Sequence, residues 1–332
     1  MRSGIDWNST PIDSCESITG DRIREAAELV HPHVGVSSTS EITRANGDQI
    51  LAKFEDENPT GAFKVRGGLV YFDWLKAMHP EIKSVYAATR GNHGQSVAFS
   101  AGQAGISAKI VVPMENSVSK NEAMRQLGAE VIEHGRDFAD AMEFAQAEAE
   151  SEGGHYIQSF DWKLVLGVST YGYELFGDNP DVDVVYVPIG LGSGVCGTIA
   201  ARNALGSKAK IIGVVAEEAP AYAHSFAAGE VVFSEEIPET IADGVALRIP
   251  NEDAFSAIRK HVDEVVIVPE IDIRQAICEL FEITGRRIEG AGAIGYAAWI
   301  NAEKQLFQNS AVIITGGNID SALFENALNS GK

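Results

Sequence analysis

Short runs rich in β-branched residues alternate with amphipathic helical stretches along most of this chain, and this alternation limits the folds it can adopt. Strands are predicted at 84–89, 108–113, 130–133, 182–189, 211–216, 265–268 and 311–315. Helices are predicted at 95–104, 120–127, 138–150, 194–205, 271–284 and 291–304. Strands that alternate with helices form βαβ units around parallel sheets. The sequence therefore predicts an α/β fold.

The length of this alternating pattern indicates two open, twisted sheets and therefore two domains. The segment 84–157 forms a compact α/β unit of its own. Residues 1–83 and 158–332 then form a larger domain, with a cleft between the two. Ligands of such folds bind at the carboxyl ends of the strands, beside helix N-termini.

The composition excludes several classes of partner. The 332 residues carry a formal net charge of −21, which disfavours nucleic acid and anionic membrane surfaces. No run approaches the roughly 20 consecutive apolar residues of a membrane span, and the first residues contain no apolar signal region. Cys15, Cys196 and Cys278 lie far apart in sequence, as is typical of reduced thiols. We therefore expect a cytoplasmic protein.

Three glycine-containing loops follow predicted strands. Residues 89–95 read Thr-Arg-Gly-Asn-His-Gly-Gln, residues 190–197 read Gly-Leu-Gly-Ser-Gly-Val-Cys-Gly, and residues 315–318 read Thr-Gly-Gly-Asn. Glycine lets a ligand approach the backbone, and a helix N-terminus offers free N–H groups to an anion. Taken singly, the first loop also fits a plain strand-to-helix turn, and the third fits a structural hydroxyl that ends a strand.

Lys64 gives the loops a common interpretation. It follows a Pro/Gly turn and an aromatic residue in the segment 58–68, Asn-Pro-Thr-Gly-Ala-Phe-Lys-Val-Arg-Gly-Gly. A lone lysine is usually solvated or ion-paired. Beside loops built to hold an anionic aromatic cofactor, this lysine is instead expected to form a Schiff base with pyridoxal phosphate.

The second loop also supports a different hypothesis. Gly192-x-Gly194-x-x-Gly197 fits a dinucleotide-binding fingerprint, and Glu217 closes the next strand at about the expected spacing. A nicotinamide-dependent oxidoreductase would explain this loop, but it leaves Lys64 without a role. Backbone amides at a helix N-terminus hold a single phosphate in the same way as a pyrophosphate.

Together these segments resemble the fold type II (tryptophan synthase β-like) pyridoxal-phosphate enzymes, and among them the serine/threonine dehydratase and serine racemase group. The resemblance covers about residues 20–325. It rests on 59–67, 91–95, 190–197 and 315–318, with further matches at 160–167 and 239–245. It implies that the larger domain holds the cofactor and that the smaller domain faces the substrate.

The resemblance also implies roles for individual residues. Lys64 is expected to be the Schiff-base lysine and the base that removes the α-proton. Cofactor contacts are expected from Phe63, Lys64, Asn92, Gly190, Leu191, Gly192, Ser193, Gly194, Glu289 and Thr315. Substrate contacts are expected from Thr89, Arg90, Gly91, Asn92, His93 and Gly244.

The activity implied is that of a pyridoxal-phosphate-dependent ammonia-lyase. Its substrate is a β-hydroxy-α-amino acid of the serine, threonine, 3-hydroxyaspartate or phenylserine type, and its products are a 2-oxo acid and ammonia. As the partner of the pyridine nitrogen, the neutral Thr315 favours prompt loss of the β-substituent over transamination. An amino-acid racemase, another β-elimination or β-replacement enzyme, and a non-catalytic binding protein on this scaffold remain alternatives.

Arg90 departs from the family pattern, which has a small residue at this position. Serine racemase uses a serine there as a base, whereas a guanidinium stays protonated and is a poor base. Racemisation is therefore disfavoured. Arg90 is expected to meet the second carboxylate of 3-hydroxyaspartate, to stack on the ring of phenylserine, or to turn outward and pair with a surface acid.

A divalent cation is not supported by the residues at the position where many relatives bind one. Glu217 fits the first ligand position, but residues 221–223 read Ala-Tyr-Ala and supply no carboxylate. A hard cation needs several oxygen ligands. The resemblance further implies a homodimer.

Overall fold

The computed structural model describes residues 5–234, 237–302 and 308–330. The helices are α1 (Gly20–Val34), α2 (Lys64–Met78), α3 (Asn92–Ala104), α4 (Val118–Gln126), α5 (Phe138–Ser151), α6 (Trp162–Asp178), α7 (Ser193–Leu205), α8 (Ala221–Ala228), α9 (Glu252–His261), α10 (Glu270–Thr284), α11 (Gly290–Asn301) and α12 (Ser321–Ser330). The strands are β1 (Thr39–Thr43), β2 (Gln49–Phe54), β3 (Ser84–Ala88), β4 (Ser107–Val112), β5 (Glu130–Glu133), β6 (His155–Tyr156), β7 (Val184–Pro188), β8 (Lys210–Ala216), β9 (Glu264–Val268) and β10 (Ser310–Ile314).

The strands form two sheets, and the predicted α/β class is confirmed. The larger sheet has the order β1-β2-β10-β7-β8-β9, and only its edge pair β1–β2 is antiparallel. The smaller sheet has the order β5-β4-β3-β6 and is parallel throughout. Parallel sheets need a covering layer on both faces, which the helices provide. The predicted strands all appear within two residues of their expected ends.

Two long helices, α2 and α6, did not stand out in the sequence. Nine of the 15 residues of α2 and 13 of the 17 residues of α6 are buried. A helix that is buried on every side has no polar stripe, so the amphipathic period is weak. The predicted helix 291–304 appears as α11, and its positions 303 and 304 lie outside the described residues.

Glycines allow α2 and α6 to cross with their backbones in contact. A Cβ added at Gly67 would lie 2.6 Å from the carbonyl oxygen of Leu164, and one added at Gly167 would lie 2.2 Å from that of Arg66. Any larger side chain at either position would force the two helices apart. This crossing fixes α2, and Lys64 is the first residue of that helix.

The turn before α2 is fastened to the end of β10. The N–H of Phe63 donates to the carbonyl of Thr315 at 3.1 Å, and that of Gly317 donates to the carbonyl of Gly61 at 2.9 Å. Gly61 has φ +65°, a left-handed conformation that glycine adopts at little cost. These contacts bring Lys64 beside the third glycine-containing loop.

Among the described residues, no helix combines the length and apolar character that a membrane crossing requires.

Candidate active site

One cleft of about 470 Å³ contains all the residues for which the sequence predicted a cofactor or substrate contact. It opens where β3 of the smaller sheet and β7 and β10 of the larger sheet end. The predicted residues that line it are Phe63, Lys64, Thr89, Arg90, Gly91, Asn92, His93, Gly190, Leu191, Gly192, Ser193, Gly194, Gly244, Glu289 and Thr315. The structure thus brings residues from six segments to one place, although their individual roles remain predictions.

Lys64 presents its amine to this cleft. Its Nζ lies 4.9 Å from the centre of the Phe63 ring and forms no hydrogen bond to any residue that the structure describes. Burial lowers the pKa of Lys64 to about 8, against the opposing effect of the Glu289 carboxylate. Near neutral pH a useful fraction of this amine is therefore unprotonated, as a nucleophile or a base requires.

The loop 190–194 offers backbone N–H groups at the start of α7. No side chain caps this helix, so its first N–H groups are available to an anion. Gly192 has φ +107°, and a Cβ at Gly190 would lie 2.4 Å from the carbonyl oxygen of Gly244. Leu191 packs partly against the larger core, and its carbonyl accepts from the hydroxyl of Tyr222 at 3.1 Å.

The loop before α3 is shaped by Thr89. Its hydroxyl accepts hydrogen bonds from the N–H groups of Gly91 at 2.9 Å and Gly94 at 3.3 Å. A Cβ at Gly94 would lie 2.4 Å from the sulfur of Met124, so the turn packs tightly onto α4. The buried Thr89 therefore stabilises the conformation of this loop through its hydroxyl.

Asn92 joins the two sides of the cleft. Its amide nitrogen donates to the Oε1 of Glu289 at 2.7 Å, and its amide oxygen accepts from Asn318 at 2.7 Å. The second oxygen of Glu289, Oε2, is buried without a hydrogen-bond partner in the described residues. Burial raises the pKa of Glu289 to about 7, against the opposing charges of Lys120 and Lys64.

His93 is buried below the same loop. Burial and, to a smaller extent, the charge of Lys64 lower its pKa to about 3, against the opposing effect of a backbone hydrogen bond with Ile157. The ring is therefore neutral at ordinary pH. Its Nε2 is buried and has no partner among the described residues.

Thr315 supplies a buried hydroxyl at the end of β10. Its Oγ1 donates to the carbonyl of Ala291 at 3.2 Å. Because the hydroxyl is neutral, it can form a hydrogen bond with a ring nitrogen but carries no negative charge that would stabilise a proton on that nitrogen.

Arg90 is exposed and lines the cleft. No ion pair or hydrogen bond joins it to another residue in the described parts of the chain. The described residues therefore include no acid paired with Arg90, and its role stays a prediction.

Lys120 and Asp243 also line the cleft, and sequence reasoning did not assign them to it. Lys120 lies in α4, beside the smaller sheet, and its amine donates to the Oδ2 of Asp243, beside the larger sheet. Lys120 also lies over the loop before α3, since a Cβ at Gly91 would be 2.9 Å from its Cδ. The two residues are 123 positions apart, so no local pattern links them.

The cleft fits pyridoxal phosphate by the chemistry of its residues. Lys64 supplies an amine for the aldehyde, the start of α7 supplies N–H groups for the phosphate, and Thr315 supplies a hydroxyl for the ring nitrogen. Buried polar atoms of Glu289 and His93 still lack partners, as expected where a polar group is to be received. Groups of three or more metal-ligating side chains are not found within the described ranges.

Comparison with known proteins places the chain in a family. Residues 32–316 match the model of the pyridoxal-phosphate dependent enzymes, and the chain belongs to that family. An L-threonine ammonia-lyase of Thermotoga maritima is 36% identical over 319 residues, which cover 95% of this chain and 79% of that protein.

Solved structures agree with this assignment. A threonine deaminase of T.th. has a TM-score of 0.84 and 30% identity, covering 91% of this chain and 99% of that one. A serine racemase of maize has a TM-score of 0.85 and 27% identity, covering 94% and 97%. The predicted family and cofactor are thereby confirmed, and the nicotinamide hypothesis has no support.

Proposed function

We propose that this protein is a pyridoxal-phosphate-dependent ammonia-lyase that converts a β-hydroxy-α-amino acid to a 2-oxo acid and ammonia. The observation that carries the proposal is the position of Lys64, whose amine enters a cleft opposite the N–H groups of α7. Relatives named L-threonine ammonia-lyase support the reaction class and make L-threonine the first substrate to test.

When bound, pyridoxal phosphate supplies an aldehyde for the lysine amine and an electron-withdrawing ring that acidifies the α-C–H bond of the substrate. Lys64 removes the α-proton, a role that the lowered pKa of its amine favours. Loss of the α-proton and of the β-hydroxyl, which leaves as water, gives an enamine. The enamine then hydrolyses to the 2-oxo acid and ammonia.

The remaining residues bind and orient. The loop held by Thr89 presents the N-terminus of α3 to the substrate carboxylate. Glu289 and Asn318 hold Asn92 in a single orientation towards the cofactor. Phe63, beneath the amine of Lys64, packs beside the cofactor ring. Arg90 is a poor base, so α-proton return from the opposite face is disfavoured.

We extend the proposal to the organisation of the chain. The smaller sheet takes all its strands from 84–157, which supports a substrate-side domain there and a cofactor-binding domain from 1–83 and 158–332. We expect a cytoplasmic homodimer, and the exposed Glu217 with no carboxylate at 221–223 is a poor site for a divalent cation. Size-exclusion chromatography with light scattering measures the dimer, and turnover after chelator treatment tests the cation.

Release of 2-oxo acid from the cofactor-loaded protein tests the reaction. The panel is L-serine, L-threonine and the isomers of 3-hydroxyaspartate and phenylserine. Lys64→Ala should abolish turnover and the visible absorbance of the bound cofactor. Lys83→Ala, an exposed change, is the matched control and should alter neither. Turnover that survives Lys64→Ala would show that another group is the base.

A further inference from the structure

The cleft extends beyond the residues that the cofactor and the α-amino acid group would contact. Its outer wall is lined by six large apolar side chains, which we call the apolar extension: Phe138, Met142, Phe233, Ile237, Leu247 and Ile249. The hydroxyl and methyl of threonine would leave most of this wall untouched. The extension is therefore a part of the site that the proposed reaction alone does not explain.

Exposure distinguishes the extension from ordinary protein surface. Phe233, Ile237 and Ile249 are 50%, 64% and 53% exposed, although each has a large apolar side chain. Single exposed apolar residues are common, but several at the mouth of one cleft mark a ligand-binding groove. Continuity with the cleft that holds Lys64 identifies the ligand as the substrate of that site.

Three of the six side chains of the extension are anchored in the protein core. Phe138 and Met142 of α5 pack against the core of the smaller sheet, and Leu247 packs against that of the larger sheet. Such walls keep their shape, and a preformed apolar surface binds an apolar group at a low entropic cost.

The charged groups beside the extension do not favour an anionic substituent. Asp137 is engaged as the cap of α5, where it accepts from the N–H groups of Ala139 at 2.9 Å and Asp140 at 3.0 Å. The guanidinium of Arg248 lies 4.9 Å from the centre of the Phe233 ring and donates to the carbonyl of Ser234 at 3.1 Å.

Lys120 also lines the cleft but is paired with Asp243, which leaves Arg90 as the next cation to consider. It is exposed, so an ion pair with a substrate carboxylate would form in water and would contribute little. A guanidinium stacks well on an aromatic face, and this contact survives in partly exposed settings. Arg90 can therefore stack on an aryl group at the mouth of the cleft, and its charge alone does not make an acid the preferred substituent.

We propose that the apolar extension binds the β-substituent of the substrate, and that the preferred substrate is a β-hydroxy-α-amino acid with a bulky apolar β-substituent such as phenyl. This inference rests on the proposed ammonia-lyase function. It selects among the substrate types that the site otherwise leaves open.

Two measurements on the cofactor-loaded protein test the inference. The first compares kcat/KM for phenylserine, L-threonine and 3-hydroxyaspartate. The value for the best phenylserine isomer should exceed the other two values by about tenfold or more, because burying a ring contributes more than burying a methyl group. The second uses calorimetry to compare binding of L-phenylalanine, L-alanine and L-aspartate, which lack the β-hydroxyl. L-phenylalanine should bind about tenfold or more tightly than either.

Variants locate the effect. Met142→Trp fills the extension and should lower the phenylserine-to-threonine ratio of kcat/KM about tenfold. Ile249→Lys changes an exposed position, so folding is preserved, and it should weaken L-phenylalanine binding. Met78→Trp, at an exposed apolar residue at the end of α2, is the matched control and should change neither quantity.

The outcomes separate the two proposals. Turnover of L-threonine or 3-hydroxyaspartate in preference to phenylserine would overturn this inference and leave the ammonia-lyase function standing. Absence of 2-oxo acid from every substrate would refute the function, and the order of amino-acid binding would still decide the inference. Equal binding of L-phenylalanine and L-alanine would show that the extension holds no substituent.

Discussion

Arg66→Met is expected to lower the free energy of unfolding by about 3–5 kcal/mol, because it leaves a buried carboxylate without its cation. Arg66 is fully buried two residues after Lys64. Its guanidinium donates to both oxygens of Glu55, at 2.7 and 3.0 Å, and to both oxygens of Glu174, at 2.6 and 3.1 Å. Methionine keeps the apolar stem and removes the charge.

The expected loss of stability comes mainly from Glu55. Glu174 keeps the charge of Lys53, at 2.5 Å, and the ring of His31, at 2.8 Å. Glu55 is fully buried and, among the residues that the structure describes, keeps two neutral side-chain donors, Ser37 and Asn58. One uncompensated buried carboxylate is therefore the basis of the estimate.

Urea denaturation of the cofactor-saturated protein at neutral pH provides the measurement. The matched control is Arg136→Met, because Arg136 pairs with Asp140 on the surface and 93% of its side chain is exposed. That change should cost less than about 0.5 kcal/mol. The double variant Arg66→Met/Glu55→Gln should recover about half of the loss or more, since it removes the stranded charge. A loss below about 1 kcal/mol for Arg66→Met would refute the reasoning.

Three further results are expected. Gly190→Ala should weaken cofactor binding more than tenfold in a fluorescence titration, because the added Cβ would lie 2.4 Å from a backbone oxygen. Gly177→Ala is the control: an added Cβ there has nothing within 4 Å, so this change should stabilise α6 by about 0.5–1 kcal/mol. Burial alone would raise the pKa of Glu174, but its hydrogen bonds and the neighbouring cations outweigh burial and lower the pKa to about 2. About 3 kcal/mol of stability that is present above pH 4.5 should therefore be lost as the pH falls towards 2. Denaturation at a series of pH values measures this loss. Lys120→Met should show a coupling energy of about 1 kcal/mol or more with Asp243→Asn in a double-mutant cycle of stability, and an additive cycle would contradict the ion pair.

The sequence was most informative where one element carries its own signal. Strands such as β7 were found because they are continuous β-branched runs, and the glycine-containing loops were found because a close backbone approach requires glycine. Those two signals, together with the resemblance to the pyridoxal-phosphate enzymes, predicted that the loops meet Lys64 in one cleft.

Contacts between distant segments could not be predicted in the same way. The ion pair of Lys120 with Asp243 and the apolar extension depend on how the two sheets are placed relative to each other. The buried network of Arg66 was also missed, since Glu55 and Glu174 lie 11 and 108 positions away from it. The segment containing Arg66 was recognised for its lysine and glycines, whereas the arginine acquires its role only through tertiary packing.

The placement of polar contacts across the cleft bears on how substrate enters. Asn92 meets Glu289 and Asn318, Lys120 meets Asp243, and Asp320 accepts from Ser117 and Ser119, so these five side-chain contacts all join the smaller sheet to the larger one. Each such contact contributes about 0.5–1.5 kcal/mol net, or more where a charge is involved, so breaking the five named contacts costs on the order of 3–8 kcal/mol. A ligand that touches both sides can supply a difference of that size. The contacts lie beside the loops predicted to bind cofactor and substrate, whereas the apolar extension takes Phe138 and Met142 from one side of the cleft and its other four side chains from the other side. A bulky apolar substituent would therefore touch both sides and add its stabilisation to that of the five contacts.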